Sequence, residues 1–290
     1  MNKRFLGFKL RKYLLLVAVV MALALVGCGK GEQGVSEHDA ADLPESSSEQ
    51  NLTENINQEE AEVSPTVISN VKAGDIIKFG TYPQSSGSAN PEPIEWLVLD
   101  VSGGKALLLS VYCLDCMPYN EEWCETSWEK CSLREWLNSE FYDSAFSDED
   151  KRIIPRTHLS NERNSEYGTS GGNDTDDYVF LLSWSDAVKY LDINAHEVSG
   201  QRPYDNPYVG SPATPYAISR GLENHDNIMF LQDGHDTTCS WWLRTVGQTE
   251  KRAIDFCVSY ISESGGSVED DQHGVRPMVY VSLDGVIANN

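Results

Sequence analysis

The chain has no apolar run long enough to cross a membrane as a helix, and it is poor in positive charge. Its longest apolar stretch is 13 residues, from Leu14 to Val26, whereas a spanning helix needs about 20 residues. Lys and Arg number 22 against 45 Asp and Glu, which gives a formal net charge of −23. This balance argues against a nucleic-acid partner, because phosphates attract basic patches.

The common enzyme motifs are missing as well. The chain contains no glycine loop that cradles phosphate, no Gly-x-Ser-x-Gly turn and no His-Glu-x-x-His helix. His235 and Asp236 lie near Cys239, but proximity in sequence is a weak indication of a catalytic set. The sequence therefore predicts no catalytic residues, no cofactor and no metal, and it favours binding over catalysis.

The amino terminus combines a basic start, a short apolar core and a small residue, which is typical of a secretory signal. It ends in Leu25-Val26-Gly27-Cys28, which resembles the lipobox of bacterial lipoproteins. In that motif the small Gly27 admits the signal peptidase, and the thiol of Cys28 takes a diacylglyceryl group as a thioether. We expect residues 1–27 to be removed and Cys28 to be lipidated, so that the protein is anchored in the cell membrane on its extracytoplasmic face. The alternative is an ordinary secreted protein with a chance cysteine.

Residues 28–70 are predicted to form a disordered acidic tether. From residue 29 to residue 70 the chain has ten acidic residues, one basic residue and no Phe, Tyr or Trp. Such a segment cannot bury enough apolar surface to offset its ordering entropy. Residues 71–290 contain all seven Trp, and their composition predicts a single globular domain.

The globular part is predicted to be α+β, with short strands, a few short helices and one long loop. Strands are predicted over residues 76–80, 94–101, 105–112, 178–182, 240–245, 254–261 and 275–283. Helices are predicted over residues 132–142, after Ser147, over 183–191 and over 216–222. Residues 192–238 are predicted to be mostly loop, and a loop of that length is more often functional or mobile than idle.

The stretch Trp128–Asn138, Trp-Glu-Lys-Cys-Ser-Leu-Arg-Glu-Trp-Leu-Asn, resembles a hallmark of a family of secreted and lipid-anchored bacterial proteins of unknown function. Other stretches resemble the same family in the same order: Gly74–Asp75, Phe79–Gln84, Pro93–Trp96, Leu114–Asn120, Val179–Ser183, Trp241–Arg244 and Gly274–Pro277. The last two stretches also resemble, more distantly, formylglycine-generating enzymes. That resemblance implies a C-type-lectin-like fold with small twisted antiparallel sheets.

Two functions follow from these resemblances. The first is a surface-displayed, non-catalytic module that binds a glycan, a peptide or a surface polymer. The alternative is an enzyme distantly related to the formylglycine-generating oxidases. Those enzymes bind copper with a close cysteine pair near the final Gly-x-Arg stretch, and here no cysteine lies beyond Cys257. This departure favours the binding module.

Six cysteines remain after Cys28, and outside the cytoplasm an even number favours disulfides, with 15 possible pairings. We predict the pairs Cys116–Cys131, Cys113–Cys124 and Cys239–Cys257. The first pair would tie the third strand to the start of the helix, and both of its positions lie in family-like stretches. Cys257 lies on the strand expected to neighbour that of Cys239. For the last pair, the family resemblance implies that the usual partner of Cys239 stands where this chain has Ser211. A zinc site built from the first four cysteines and a set of buried free thiols are the alternatives.

Any ligand is expected to meet the face formed by residues 192–238 and the start of the last sheet. The candidate contacts are aromatic or charged residues in or near this loop: Tyr204, Tyr208, Tyr216, Asp233, Asp236, Trp241, Trp242 and Arg244. One of the two tryptophans should face outward, because side chains alternate across a strand. In the competing interpretation the loop wraps the sheet and buries these aromatics, and Arg244 and Arg276 are structural.

The acidic clusters, residues 174–177 among them, are interpreted as solvated turns rather than calcium sites.

Overall fold

A computed structural model of the chain describes residues 68, 70–191, 212–223, 239–257 and 260–283, without the side chains of Cys257 and Tyr260. All described residues lie within the unit Ala61–Asn290. Cys28 and the predicted signal lie outside the described residues, as does nearly all of the predicted tether. Within the described ranges, no helix is both long and apolar enough to cross a membrane.

The described strands and helices are short. The strands are β1 (Ile76–Pro83), β2 (Pro91–Ser102), β3 (Lys105–Ser110), β4 (Asp115–Cys116), β5 (Thr157–Leu159), β6 (Thr175–Asp177), β7 (Val179–Phe180), β8 (Trp241–Val246), β9 (Arg252–Cys257), β10 (Tyr260–Ser267), β11 (Gly274–Val275) and β12 (Met278–Ser282). The helices are α1 (Ser132–Trp136), α2 (Tyr142–Ala145), α3 (Asp148–Lys151), α4 (Trp184–Tyr190) and α5 (Pro215–Ser219), and a π-helical turn, Leu137–Phe141, joins α1 to α2.

These strands form two five-stranded sheets and one two-stranded sheet. The first sheet has the order β1-β2-β3-β12-β7, the second β10-β9-β8-β11-β4, and the third pairs β5 with β6. All pairings are antiparallel except β8 with β11. The predicted class, α+β with small antiparallel sheets and a few short helices, is therefore confirmed.

Local sequence accounts for several of these elements. Gly103 and Gly104 have φ values of 57° and 73°, as a tight hairpin turn requires, and they join β2 to β3 as predicted. Ser147 caps α3 and Ser183 caps α4, each in a capping box with an aspartate three residues later. These reciprocal hydrogen bonds satisfy backbone groups that a helix leaves unpaired at its start.

Several predicted boundaries are wrong. The single strand predicted over residues 275–283 is divided into β11 and β12, which belong to different sheets. Two more differences lie elsewhere in the chain. Residues 254–261 were expected to form one strand, but the structure has β9 and β10, which pair with each other antiparallel. The predicted helix over residues 132–142 exists, but it contains the π-helical turn between α1 and α2. Both differences arise where a hydrophobic pattern continues across a change of backbone geometry, which periodicity alone does not register.

The second sheet carries β8 near its centre, between β9 and β11. All six residues of β8 are buried, and a single core cluster includes residues of both five-stranded sheets and of α1. A strand covered on both faces reads as a continuous apolar run instead of an alternating one. The burial of β8 therefore determines whether Trp241, Trp242 and Arg244 can contact a ligand.

Candidate functional site

Four of the predicted ligand contacts, Tyr204, Tyr208, Asp233 and Asp236, lie outside the described residues. Tyr216 is described and is half-buried on α5. Its ring meets the ring of Tyr82 edge-on at 5.9 Å, and its backbone N–H donates to the carbonyl of Gln84 at 2.9 Å. These contacts hold Tyr216 against β1 and leave part of its side chain accessible.

Trp241 and Trp242 are both fully buried, so the expectation that one of them faces outward is wrong. Trp241 stacks on Phe256 at 4.8 Å. Trp242 stacks on His273 at 4.0 Å, and its indole N–H donates to the carbonyl of Met117 at 3.0 Å. The physical reason is that packed protein covers both faces of β8, so that side chains on either face are buried. Neither ring is available to a ligand.

Arg244 is also buried, at 7% exposure. One of its nitrogens, Nη2, lies 3.3 Å from Oδ2 of Asp186. Burial lowers the pKa of Arg244, although Asp186 acts in the opposite direction. Nε and Nη1 have no hydrogen-bond partner among the described residues. Arg244 lines a narrow crevice together with Asn161 and Glu162.

Arg276 matches the structural interpretation. It is 1% exposed, its Nε donates to the carbonyl of Ser110 at 2.8 Å, and its guanidinium lies 5.0 Å from the ring centre of Trp241. The buried cation therefore packs between the two large sheets as a cation–π partner.

The predicted disulfides Cys116–Cys131 and Cys113–Cys124 are not formed. The thiols of Cys116, Cys124 and Cys131 are free, and Cys124 is exposed. Cys113 lies instead beside Cys239, with their sulfurs 3.3 Å apart. The reason is tertiary: the chain before β4 and the chain before β8 both flank β11. The side chain of Cys257, the third predicted partner, lies outside the described residues.

Two open clefts adjoin each other on another part of the surface. The first, here called the Tyr178 cleft, has a volume of about 390 Å³ and is lined by Arg134, Glu135, Asn138, Arg156, Asp176 and Tyr178 among others. The second, the Glu250 cleft, has a volume of about 440 Å³ and is lined by Glu125, Ser127, Ser170, Asn173 and Glu250 among others. Glu129 and Lys130 line both clefts, so the two lie side by side.

Glu129 is fixed at the boundary between the clefts. The side-chain amide of Asn173 donates to its Oε1 at 2.8 Å, and the backbone N–H of Asn173 donates to its Oε2 at 3.2 Å. These hydrogen bonds lower the pKa of Glu129. The carboxylate is thus ionised at neutral pH and held in one orientation, while its outer edge remains accessible.

A buried carboxylate supports the floor of the Tyr178 cleft. Asp177 is 1% exposed, and it accepts hydrogen bonds from Nε of Arg134 at 2.7 Å and from the indole of Trp128 at 2.8 Å. The hydroxyl of Thr175 donates to the same carboxylate at 3.0 Å. A buried charge with this many partners is stable only because each oxygen is satisfied.

Asn138 joins the helical segment to the neighbouring strand. Its side-chain nitrogen donates to the carbonyls of Arg134 and Val179, and its side-chain oxygen accepts from the backbone N–H groups of Tyr178 and Val179. The ring of Tyr178 stacks on that of Tyr142 at 4.6 Å. The stretch Trp128–Asn138 therefore supplies much of the wall of this cleft.

The sequence drew attention to the stretch Trp128–Asn138 as a resemblance but did not identify its residues as a binding surface. Glu129 and Asn173 are 44 positions apart, and Arg134 and Asp177 are 43 apart, so no local pattern relates them. Asp174 and Asp176 bind the protein's own groups, since both lie within ion-pair distance of His158. No group of three or more His, Cys, Asp or Glu residues is arranged to hold a metal ion in the part of the chain that the structure describes.

Comparison with known proteins adds one match. The family described as Domain of unknown function (DUF6273) matches residues 103–283, which is more than half of the chain. The match includes β3 to β12 and both clefts. No curated protein and no solved structure matches the chain.

Proposed function

Given that the chain belongs to the Domain of unknown function (DUF6273) family, we propose that it is a lipid-anchored, extracytoplasmic binding protein without catalytic activity. Its ligand is an uncharged glycan chain that lies across the Tyr178 cleft and the Glu250 cleft. The observation that carries this proposal is the pair of adjoining clefts with an oriented carboxylate, Glu129, between them.

The shape of the surface supports an extended ligand. Each cleft has about the volume of a small-ligand pocket, and the two share Glu129 and Lys130. A ligand that fills both must therefore pass over these two residues. A chain of linked units meets this requirement better than a single compact molecule.

The chemistry of the walls supports a ligand rich in hydroxyl groups. The clefts present a carboxylate, a guanidinium group, an amide and a hydroxyl, which belong to Glu129, Arg156, Asn173 and Ser170. Hydroxyl groups both donate and accept hydrogen bonds, so they suit such a mixed lining. Tyr178 adds a flat apolar ring with a polar tip at one end of this surface.

The charge of the Glu250 cleft argues against an anionic polymer. Glu125, Glu129 and Glu250 line it, and Lys130 is the only basic side chain among the described residues of its lining. Phosphate or carboxylate groups of a ligand would be repelled there. This argument removes anionic polymers from the surface polymers that the sequence analysis allowed as ligands.

Two sequence inferences agree with the proposal. The lipobox-like Leu25-Val26-Gly27-Cys28 would hold the protein at the cell surface, where glycans occur, on the tether of residues 28–70. The C-type-lectin-like resemblance of the closing stretches also favours a binding module, although a fold does not by itself define a ligand. The proposed site lies outside the predicted loop face.

The test is binding of the purified chain, with Cys28→Ala to avoid lipid, to an array of neutral glycans, acidic glycans and peptides. We expect retention on neutral glycans and about a tenfold weaker affinity for Glu129→Gln and for Asn173→Ala, since each removes a charge-assisted or oriented hydrogen bond. Glu166→Gln is the matched control, because Glu166 is exposed and lines neither cleft.

Three results would contradict the proposal. Retention on acidic glycans alone would show that the Glu250 cleft does not repel anionic ligands. Retention on peptides alone would show that the ligand is a peptide and not a glycan. Binding to neutral glycans that is equally strong in Glu129→Gln and Glu166→Gln would place the site elsewhere on the protein.

A further inference from the structure

The sulfurs of Cys113 and Cys239 lie 3.3 Å apart, although the residues are 126 positions apart in the chain. Both side chains are buried, at 0% and 2% exposure. A covalent disulfide has a sulfur–sulfur distance of about 2.05 Å, so a small movement of the two side chains would bring the atoms into bonding range.

The neighbouring backbone leaves room for this pair. Gly274 on β11 stands directly against Cys113, and a Cβ atom at Gly274 would lie 2.7 Å from the sulfur of Cys113. The backbone N–H of Gly274 donates to the carbonyl of Ser240 at 2.7 Å, which keeps the residue after Cys239 in the same place. Only glycine allows the two chain segments to approach β11 so closely at this point.

Other described thiols point to different groups. The thiol of Cys116 donates to the carbonyl of Asp271 at 3.1 Å, and that of Cys131 donates to the carbonyl of Trp128 at 3.6 Å. Cys124 is exposed and lies near the side-chain amide of Asn120. Among the described cysteines, the sulfur–sulfur contact of Cys113 with Cys239 is therefore specific.

We propose that Cys113 and Cys239 form a disulfide in the mature protein. The oxidant is a disulfide of a small molecule or of an exchange protein. The thiolate of one cysteine attacks that disulfide and displaces one of its sulfurs as a thiolate, and the second cysteine then displaces the other sulfur from the mixed disulfide. The protein's two thiols lose two electrons and two protons, and the oxidant is reduced to two thiols.

Burial determines when this reaction takes place. A hydrogen bond to Cys113 and burial raise the pKa of Cys239 well above its ordinary value, and the nearby Arg276 only partly opposes them. The thiolate needed for exchange is therefore scarce in the folded protein. The bond forms while the chain folds, and once formed it is shielded from reductants.

The cross-link would join three parts of the fold. Cys113 follows β3 of the first sheet, and Cys239 precedes β8 of the second. The backbone of Cys113 also pairs with the segment before α5: its N–H donates to Pro212 at 3.0 Å and its carbonyl accepts from Thr214 at 3.1 Å. A bond that closes so long a loop stabilises the fold by restricting the unfolded chain.

The experiment uses the full chain with Cys28→Ala, unfolded and reduced, then refolded with oxidised and reduced glutathione. Thiols are alkylated in denaturant with and without prior reduction, and the modified peptides are identified by mass spectrometry. We expect two thiols to be protected before reduction, on the peptides of Cys113 and Cys239, and the melting temperature to exceed that of the reduced protein by about 5–15 °C.

Matched variants test the specificity of the pairing. Cys116→Ser and Cys124→Ser should still protect the same two thiols, whereas Cys113→Ser should leave Cys239 open to alkylation. Peptide mapping of the parent protein decides the matter even where Cys113→Ser does not fold. Alkylation of Cys113 and Cys239 without reduction, or protection of any other pair, would overturn the proposal.

Discussion

Nε of Arg134 donates a hydrogen bond to Oδ1 of Asp177 at 2.7 Å. Nη2 of Arg134 lies 2.6 Å from the same oxygen. The side chain of Asp177 is fully buried, while that of Arg134 is 24% exposed. The guanidinium of Arg134 therefore lies between solvent and the buried carboxylate of Asp177. This ion pair joins α1 to β6 beneath the Tyr178 cleft.

The first prediction follows from this ion pair. Arg134→Ala leaves Asp177 buried with two hydrogen bonds and no cation, so the free energy of unfolding should fall by about 3 kcal/mol. Urea unfolding of both proteins at pH 7 measures the difference. Arg152→Ala is the control: Arg152 is 72% exposed and lies 3.8 Å from Glu149, and such surface pairs contribute less than about 1 kcal/mol. Equal losses in the two variants would refute the buried-pair argument.

The second prediction concerns pH and His273. Burial alone would lower the pKa of His273, but Asp255 at 3.0 Å and Asp270 at 3.5 Å reverse this and raise it from 6.5 to about 9. Because the folded protein holds the proton more tightly than the unfolded chain, the stabilisation is complete below about pH 6.5 and is lost as the pH rises towards 9. The loss amounts to about 3 kcal/mol.

Urea unfolding between pH 6 and pH 10 measures this dependence. His273→Gln should remove most of the slope of the curve over that window. Asp176 and Asp174 also raise the pKa of His158, but this histidine is exposed and water screens its ion pairs, so His158→Gln should change the slope much less. A parent protein whose stability rises between pH 7 and pH 9 would show that His273 is not held in its charged form.

The third prediction separates core tryptophans from surface tryptophans. Trp242→Ala should lower the free energy of unfolding by about 3–5 kcal/mol, because it leaves a cavity beside His273 and removes a stacked ring. Trp123 is 59% exposed and lies under Lys251 at 4.0 Å, so Trp123→Ala should cost about 1 kcal/mol or less. Thermal or urea unfolding measures both. If Trp242→Ala were nearly as stable as the parent protein, Trp242 would not be a core residue and would again be a candidate ligand contact.

The fourth prediction concerns the proposed anchor. Cys28→Ala should abolish incorporation of an acyl probe in growing cells and leave an unprocessed or released protein, because the thioether has no other acceptor in the lipobox-like motif. Cys124→Ala removes an exposed thiol of the described part and should label as the parent does. Equal labelling of the parent and Cys28→Ala would exclude lipidation at this position.

Local sequence was sufficient wherever the determining contacts lie within a few residues. The turn at Gly103 and Gly104 and the capping boxes at Ser147 and Ser183 depend on backbone preferences and hydrogen bonds that span four residues or fewer. The α+β class also follows from such local signals, because it depends on the kinds of element and not on how they pack.

Only the tertiary structure decided which side chains meet across the sheets. Alternation along β8 predicted one exposed tryptophan, but neighbours on both faces of β8 bury both rings. The contact between Cys113 and Cys239 arises because distant segments flank β11, and Glu129 meets Asn173 because a loop returns beside α1. The last two contacts join residues more than 40 positions apart. Strand order and packing determine all of these partners, and periodicity in one segment does not encode them.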